Sequence, residues 1–489
     1  MAVASPPEMN TGGHCYGAQQ KIHQLGAIQP YGLNIVIRAE NDSTSPDDPE
    51  SQHSGSSLTI AMVSENIRWY GWDPEELVGE DFATIIKDYE TVLKVRQKVL
   101  SLEPKSVKFA DGSSVFDEPI KPGQESIPSE KPNKIETFEM KMMTGSDEDL
   151  DIPDYSELQP YLENRDGAAP LVAGGDAGGA GGELAMAAAL SPANLPGHYL
   201  LELEHLPAAW AAQGRAGPAA AVAELAAATQ EMETVEEVCE AATRFGQEAT
   251  GMDRVMVYRF DHEFNGEVIA ETRTEGLGSY KGLWFPAHDI PPVARALYVR
   301  NTLRFVADVD AAPVRFHPPY LMAHAAGAAA AAPRPLDLSE ARLRALSPCH
   351  LEYLRNMGVR ATVAASLVLR DRLWGLLLWH RRAAAGAYYP NVALRGQLAA
   401  LAGLVGARVE ALERRAEVRR LAAAQALLGD LGGRLGPRQY LARYAPYLLA
   451  TLRCESLALV RTAPAARRAR RGAREGGGGD PVAAGRRCG

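Results

Sequence analysis

Short apolar runs alternate with polar turns and helix-period stretches along the first two hundred residues. L-N-I-V-I-R (33–38) and L-T-I-A-M-V-S (58–64) read as two antiparallel strands around a polar turn. W-D-P-E-E-L-V-G (72–79) reads as a helix start. Asp73 serves as N-cap, Pro74 takes the first helical position, and two glutamates complement the dipole in the first turn. F-E-M-K-M-M (138–143) and Y-L-L-E-L-E (199–204) are expected to finish the sheet as a hairpin. The Gly/Ala-rich stretch 167–193 is expected as an insertion in that hairpin, too poor in large apolar residues to pack a core.

A second pattern opens near Thr234. Val235, Val238, Cys239, Ala242 and Phe245 recur at helical spacing. R-V-M-V-Y-R-F (254–260) and E-V-I-A-E (267–271) follow as strands, and V-A-A-S-L-V-L (363–369) and L-W-G-L-L-L-W-H (373–380) flank a hairpin turn. Between them, Pro348 stops any preceding helix and starts one that ends at Gly358. From 392 to 428 the chain is helical almost without a break, about 55 Å at 1.5 Å per residue. Leu394, Leu398, Leu401, Val405 and Leu412 nearly follow a heptad seam, which predicts a homodimer through this helix. The expected fold class is α+β: a PAS-like domain over 22–215 behind an extension over 1–21, then a GAF-like domain over 216–411. Both have antiparallel sheets with flanking helices. The long helix and the start of a further domain cover 412–461, and a disordered basic tail covers 462–489.

Composition narrows the function. The 489 residues carry 61 acidic and 51 basic side chains, a net charge of -10. No basic stripe dominates, so direct DNA binding is not expected. The tail contains A-R-R-A-R-R, a nuclear address or anion-binding patch if it is more than a solvated end. Five cysteines without C-x-x-C spacing argue against a disulfide framework or structural zinc, and for a reducing compartment. The N-terminus lacks a secretory signal, and no run of about 18 apolar residues is read as a membrane span. The expected location is cytoplasmic or nuclear, with no membrane partner. A second low-complexity piece, A-A-G-A-A-A-A-A-P-R-P, covers 325–335.

Candidate chemistry centres on Cys349, in L-S-P-C-H-L-E-Y-L-R-N-M-G-V (346–359). A thiol at a helix N-terminus ionises more easily, because free N–H groups stabilise the thiolate, and a thiolate adds to electron-poor double bonds. Alone, such a cysteine is more often a small buried apolar residue. The same bland fates apply to its neighbours taken singly. Asp289 would cap a helix, arginines are usually solvated, and Tyr258 and Phe285 would be core packing.

The surrounding motifs change that balance. V-Y-R-F-D-H-E-F-N-G-E-V-I-A-E (257–271), F-P-A-H-D-I-P (285–291), A-R-A-L-Y-V-R-N-T-L-R (294–304), S-P-C-H-L-E-Y-L-R-N-M-G-V (347–359) and L-W-G-L-L-L-W-H strongly resemble the bilin-binding GAF domain of phytochromes. I-H-Q-L-G-A-I-Q-P-Y-G (22–32) resembles the opening of the phytochrome PAS domain. The resemblance covers about 22–411 and implies a linear tetrapyrrole joined to Cys349 by a thioether. Phycocyanobilin or phytochromobilin is then the expected chromophore, with biliverdin on Cys15 the alternative. It implies that His350 packs beside the ring nitrogens and that Asp289 accepts from them through its backbone carbonyl. Arg304 and Arg344, assisted by Tyr298, would hold a propionate. His380 would bond the D-ring carbonyl, among Tyr258, Phe285 and Tyr353. It also implies a figure-eight knot between the N-terminal segment and the GAF insertion.

There are departures. Cys15 stands two residues further from I-H than the biliverdin-attaching pattern, so it reads as a free thiol. Ala364 stands where the family often has a serine reaching a propionate, and Thr362 is the expected compensation. The chain stops inside the region resembling a PHY domain, without the P-R-x-S-F tongue, a phosphoacceptor histidine or an ATP-binding module. The expected function is a red/far-red photoreceptor that switches by bilin photoisomerisation and performs no turnover itself. Its signalling partner is unassigned. The alternative is a GAF/PAS module that binds a small ligand, or only dimerises.

Overall fold

The computed structural model describes residues 22–40, 57–86, 89–102, 136–143, 183–195, 197–205, 217–321, 335–430 and 437–452. In the first half these form β1 (Ala27–Ile28), β2 (Leu33–Glu40), β3 (Ser57–Ser64), α1 (Pro74–Leu77), α2 (Tyr89–Ser101), β4 (Glu136–Met143), β5 (Glu183–Pro192) and β6 (His198–His205). Strand β2 lies between β3 and β6, with β5 and then β4 beyond β6, all antiparallel. Leu33, Ile35 and Ile37 alternate along β2 and are fully buried, packed with Phe82, Ile85, Val92 and Val95. Asp73 caps α1 by accepting from the Glu75 amide at 2.8 Å, as its place before Pro74 predicts.

The expected hairpin of 138–143 with 199–204 does not form. Strand β5 stands between them, inside the stretch expected to be an insertion. Met186, Ala188 and Leu190 alternate on it and are buried. Met186 faces Met140 across the ladder, and Ala188 faces Phe138, so large residues of β4 fill the space that the alanines leave. The rest of the insertion, before 183, lies outside the described residues, as do the extension 1–21 and the tail.

The second half contains α3 (Gly217–Ala228), α4 (Val235–Thr250), β7 (Arg254–Phe260), β8 (Gly266–Arg273), β9 (Trp284–Phe285), α5 (Pro292–Arg300), β10 (Leu303–Val306), β11 (Val314–His317), α6 (Pro348–Asn356), β12 (Val359–Leu369), β13 (Arg372–Arg382), α7 (Val392–Asp430) and α8 (Pro437–Leu452). Six strands make its sheet, in the order β10-β12-β13-β7-β8-β9. Helix α4 starts in a capping box: Thr234 accepts from the Glu237 amide at 3.2 Å, and Glu237 accepts from the Thr234 amide at 3.1 Å. It packs on the sheet through Gly246, whose carbonyl accepts from the fully buried Trp379 indole at 3.1 Å. A Cβ on Gly246 would come within 2.9 Å of that nitrogen, so only glycine allows this approach.

Pairing and hydrogen bonds join the two halves on either side of 215/216. Strand β11 leaves the second half and joins the first sheet between β1 and β3. The returning arm near 335–345 binds the N-terminal segment from the other side. The Leu338 amide donates to the His23 carbonyl (2.8 Å), Gln29 to Leu343 (2.7 Å) and Ala345 to Ala27 (3.1 Å). Glu202 of β6 accepts from the amides of Arg342 (2.9 Å) and Leu343 (3.0 Å). Met1–Arg408 is accordingly one compact unit and Val409–Gly489 another. Residues 322–334, which would close the loop, lie outside the described residues, and the expected knot crossing lies there with them.

Helix α7 departs from expectation in its use. Leu398, Leu401 and Val405 of the heptad seam, together with Ala402, are buried within the first unit, so this part offers no free seam to a second copy. By length and composition Val392–Gln425 would also pass for a membrane span, which the reading of no such run overlooked. Burial of Leu398, Leu401, Ala402 and Val405 accounts for part of that apolarity, 39% of the apolar window being buried. At its start, Arg395 pairs with the Glu204 carboxylate of β6, which also accepts from the Tyr389 hydroxyl. Its guanidinium lies over the Phe305 ring at 4.6 Å. Arg395 and Glu204 are both buried, so removing one strands the other. Arg395→Ala should lower the unfolding free energy by about 3–5 kcal/mol. Arg414→Ala, which breaks an exposed pair with Glu410, should change it by less than about 0.5 kcal/mol. Chemical denaturation of the variants checks both.

Candidate functional site

One face of the second sheet forms the floor of a cavity, and strand register assembles it. Arg304 on β10 pairs with Ala364 on β12, Ala364 with Leu378 on β13, and Leu378 with Met256 on β7. The next row contains Val306, Thr362 and His380, and on the other side Leu376 pairs with Tyr258. Because side chains alternate across a strand, residues two apart in these four strands all project to one face. Tyr258 lies flat over β8 only because position 266 is glycine: a Cβ there would sit 1.7 Å from the ring.

The other walls come from two helical segments and the insertion. F-P-A-H-D-I-P leads into α5, bringing Phe285, Asp289 and Tyr298 to the cavity. Ser347 caps α6, its hydroxyl 3.4 Å from the His350 amide, and Pro348 holds the first helical position. Cys349, His350 and Tyr353 then line the cavity from the first turns of α6. The His350 and Tyr353 rings are parallel, 6.2 Å apart. The insertion supplies Arg344. All eleven residues singled out from the sequence line this one cavity.

Ile22, Met256, Ile290, Leu376 and Leu378 also line it and were not anticipated. The alternation Leu376, Leu378, His380 was the available signal for two of them. Ile22 arrives through the packing of the N-terminal segment against the arm near 335–345, which no local pattern announces. Ala364 lines the cavity without a hydroxyl, and Thr362 lines it beside Ala364. Ser366, next on the same face, is committed elsewhere, donating to the Tyr298 carbonyl at 2.7 Å.

Electrostatics set the character of the site. Arg304 donates to the carbonyls of Arg342 (3.0 Å) and Arg344 (2.7 Å), and Arg344 donates to the Ile22 carbonyl (3.3 Å). Among the described residues neither guanidinium forms an ion pair with a carboxylate, and Arg344 Nε has no hydrogen-bond partner. Burial pulls Arg304 down to about 10, and burial with the Arg304 charge pulls Arg344 well below its usual value. Burial and Arg304 push His350 down to about 4. Burial, Arg254 and His350 push His380 down to about 3. Burial raises the Asp289 carboxyl, against His288 and the Tyr353 hydroxyl at 3.5 Å. The site is therefore a mostly apolar slot with two uncompensated cations, two neutral imidazoles and one thiol. Those residues fit an elongated, conjugated molecule bearing carboxylates, as a bilin does.

Comparison with known proteins agrees. Residues 234–409 match the GAF domain family. A bacteriophytochrome of Xanthomonas campestris pv. campestris is 44% identical over 188 residues, 37% of this chain and 27% of that protein. Cyanobacterial phytochrome B of Nostoc sp. is 43% identical over 149 residues, 30% of this chain and 19% of that protein. The chromophore-binding domain of the Stigmatella aurantiaca bacteriophytochrome superposes with a TM-score of 0.53 at 26% identity. That match covers 80% of this chain and 98% of the domain. Over these stretches the chain resembles phytochromes. The photosensory core module of Stigmatella aurantiaca phytochrome matches 90% of this chain and 69% of its own length, at 25% identity and TM-score 0.57. The aligned stretches thus span about a quarter or less of the length of these two relatives.

The two imidazoles make the chain's stability depend on pH. Their folded pKa values, about 4 and about 3, lie below the ordinary 6.5, so the unfolded chain takes up protons first as pH falls. This contribution is whole above pH 6.5 and is lost as pH falls toward those values. With no bilin bound, unfolding free energy should drop between pH 6 and 5 by up to about 1.4 kcal/mol for each imidazole. His350→Gln with His380→Gln should flatten that slope, as denaturation curves at the two pH values will report.

Proposed function

We propose that the chain binds a linear tetrapyrrole in this cavity, attached through Cys349, and acts as a red/far-red light sensor. The observation that carries the reading is two guanidiniums with no carboxylate partner among the described residues, in a largely apolar slot that also holds a thiol. Arg304 and Arg344 supply charge-assisted N–H donors for propionate oxygens. Cys349 supplies its sulfur to an ethylidene carbon, the thiol proton ending on the adjacent carbon, with no oxidant required. His350, held neutral by burial, has a ring nitrogen to offer a pyrrole N–H or an ordered water. Asp289 offers its backbone carbonyl. His380 sits across β12–β13 from Thr362, placed to bond a carbonyl at the far end of the molecule. When bound, the bilin contributes a double bond that light isomerises. Phe285, Tyr258 and Tyr353 then set which ring orientation is accommodated. Phycocyanobilin or phytochromobilin suits Cys349, whereas biliverdin would use Cys15.

Downstream, the buried start of α7 carries a change at the cavity outward, because Phe305 lines the cavity and Arg395 rests on that ring. Val418 and Leu421, exposed further along α7, are apolar residues available to a homodimer.

Co-expression with bilin biosynthesis enzymes tests the reading. Denatured protein should show zinc-enhanced bilin fluorescence, and red light should reversibly change the absorption spectrum. The fluorescence should vanish in Cys349→Ala and survive Cys15→Ala. The opposite pattern would move attachment to Cys15 and make biliverdin the chromophore, while no bound pigment in the unmodified chain would defeat the proposal.

A further inference from the structure

Arg295 lies one turn into α5 and is not among the residues lining the cavity. Its side chain folds back over the helix start. Nη1 donates to the carbonyls of Ala287 (3.0 Å) and Ile290 (2.5 Å), which lie two residues before and one after Asp289. The opposite side of the same segment is held from β7–β8. The Ala287 amide donates to Asn265 Oδ1 at 3.1 Å. Asn265 in turn donates to Asp261 through its amide (2.8 Å) and its Nδ2 (3.1 Å).

Phe264 completes the arrangement. Its φ of 64° lies in the left-handed region, which a bulky side chain adopts only when its surroundings require it. That backbone places its ring 4.3 Å from the Arg295 guanidinium. Among the described residues no carboxylate pairs with Arg295. Burial pulls its pKa down, against the opposing influence of the Tyr258 hydroxyl. A half-buried cation without a counter-ion is thus directed at two backbone carbonyls.

We propose that Arg295 is a positioning residue for the cavity: from outside its wall it clamps the backbone over 287–290, and so fixes where Asp289 presents its carbonyl to a bilin. The clamp is a property of the chain alone, and its consequence for pigment rests on the bilin reading above.

Two measurements on the full chain test this. In hydrogen exchange without bilin, the Asp289 amide, which donates to the Pro286 carbonyl at 3.0 Å, should exchange roughly tenfold faster in Arg295→Ala. Arg295→Lys, which keeps a donor but not the flat stacked cation, should fall between. With bilin supplied, Arg295→Ala should still carry the covalent adduct but show a displaced, weakened red band and a several-fold smaller photoproduct signal, partly restored by Arg295→Lys. A loss of fold stability alone would leave the band position of the folded fraction unchanged. If Arg295→Ala does not fold, Asn265→Ala releases the other side of the segment and must give the same two changes. Unchanged exchange overturns the clamp, and faster exchange with unchanged spectra overturns its role toward the pigment. If the unmodified chain takes up no bilin, the functional reading fails while the exchange experiment still decides the clamp.

Discussion

Two guanidiniums held in a low-dielectric slot, without carboxylate partners among the described residues, are the constraint on which this structure turns. Burying an isolated charge is costly, and proteins normally pair it. Here Glu202 acts on Arg304, and Asp337 on Arg344, only from a distance. The backbone meets part of the cost: carbonyls of Arg342, Arg344 and Ile22 accept from the two side chains. Those carbonyls belong to the insertion arm and the N-terminal segment, so the interleaving of the two halves exists where the charges need support. Glu202 of β6 fixes the same arm from behind through two amides. The arrangement is half a binding site, and in the proposed function a dicarboxylate supplies the missing half.

The remaining walls explain how a stiff scaffold presents so many groups to one volume. Four strands in fixed register place Arg304, Thr362, His380 and Tyr258 on one face, and a slip of one residue would turn each away. Gly266 and Gly246 permit the two close approaches, of Tyr258 over β8 and of Trp379 against α4. The segment before α5 has no ladder of its own at Asp289, and side chains of Arg295 and Asn265 take over that task. Buried Glu204 and Arg395 then connect the first sheet to the root of α7, beside a ring that lines the cavity.

Much of this was legible before any coordinates. Strand patterns located β2, β3, β7, β12 and β13, and the cap at Asp73 was readable from residue type and spacing. The eleven cavity residues were identified through motif resemblance; composition alone favoured the opposite reading for each. What escaped was non-local. Strand β5 hid in an alanine-rich stretch because its partner's large side chains, not its own, fill the space. Strand β11 joins a sheet that starts nearly 300 residues earlier, a pairing without local signature. The seam of α7 has the period of a coiled coil, and periodicity cannot say whether the covering surface is a second copy or the chain's own core. Ile22 and Arg295 act through long-range packing and backbone contacts, which no residue pattern encodes.

The central claim, that Arg304 and Arg344 are held for the carboxylates of a bilin, is tested most directly by removing those carboxylates. With Cys349→Ala to prevent covalent attachment, equilibrium affinities for phycocyanobilin and for its dimethyl ester can be compared by absorbance or calorimetric titration. Losing a charge-assisted pair of about 1.5–3 kcal/mol should weaken the ester by roughly ten- to a hundredfold. That difference should collapse when Arg344 is also replaced by alanine. Equal affinity for acid and ester in the Cys349→Ala chain would contradict the account, because the two cations would then have no part in recognising the pigment.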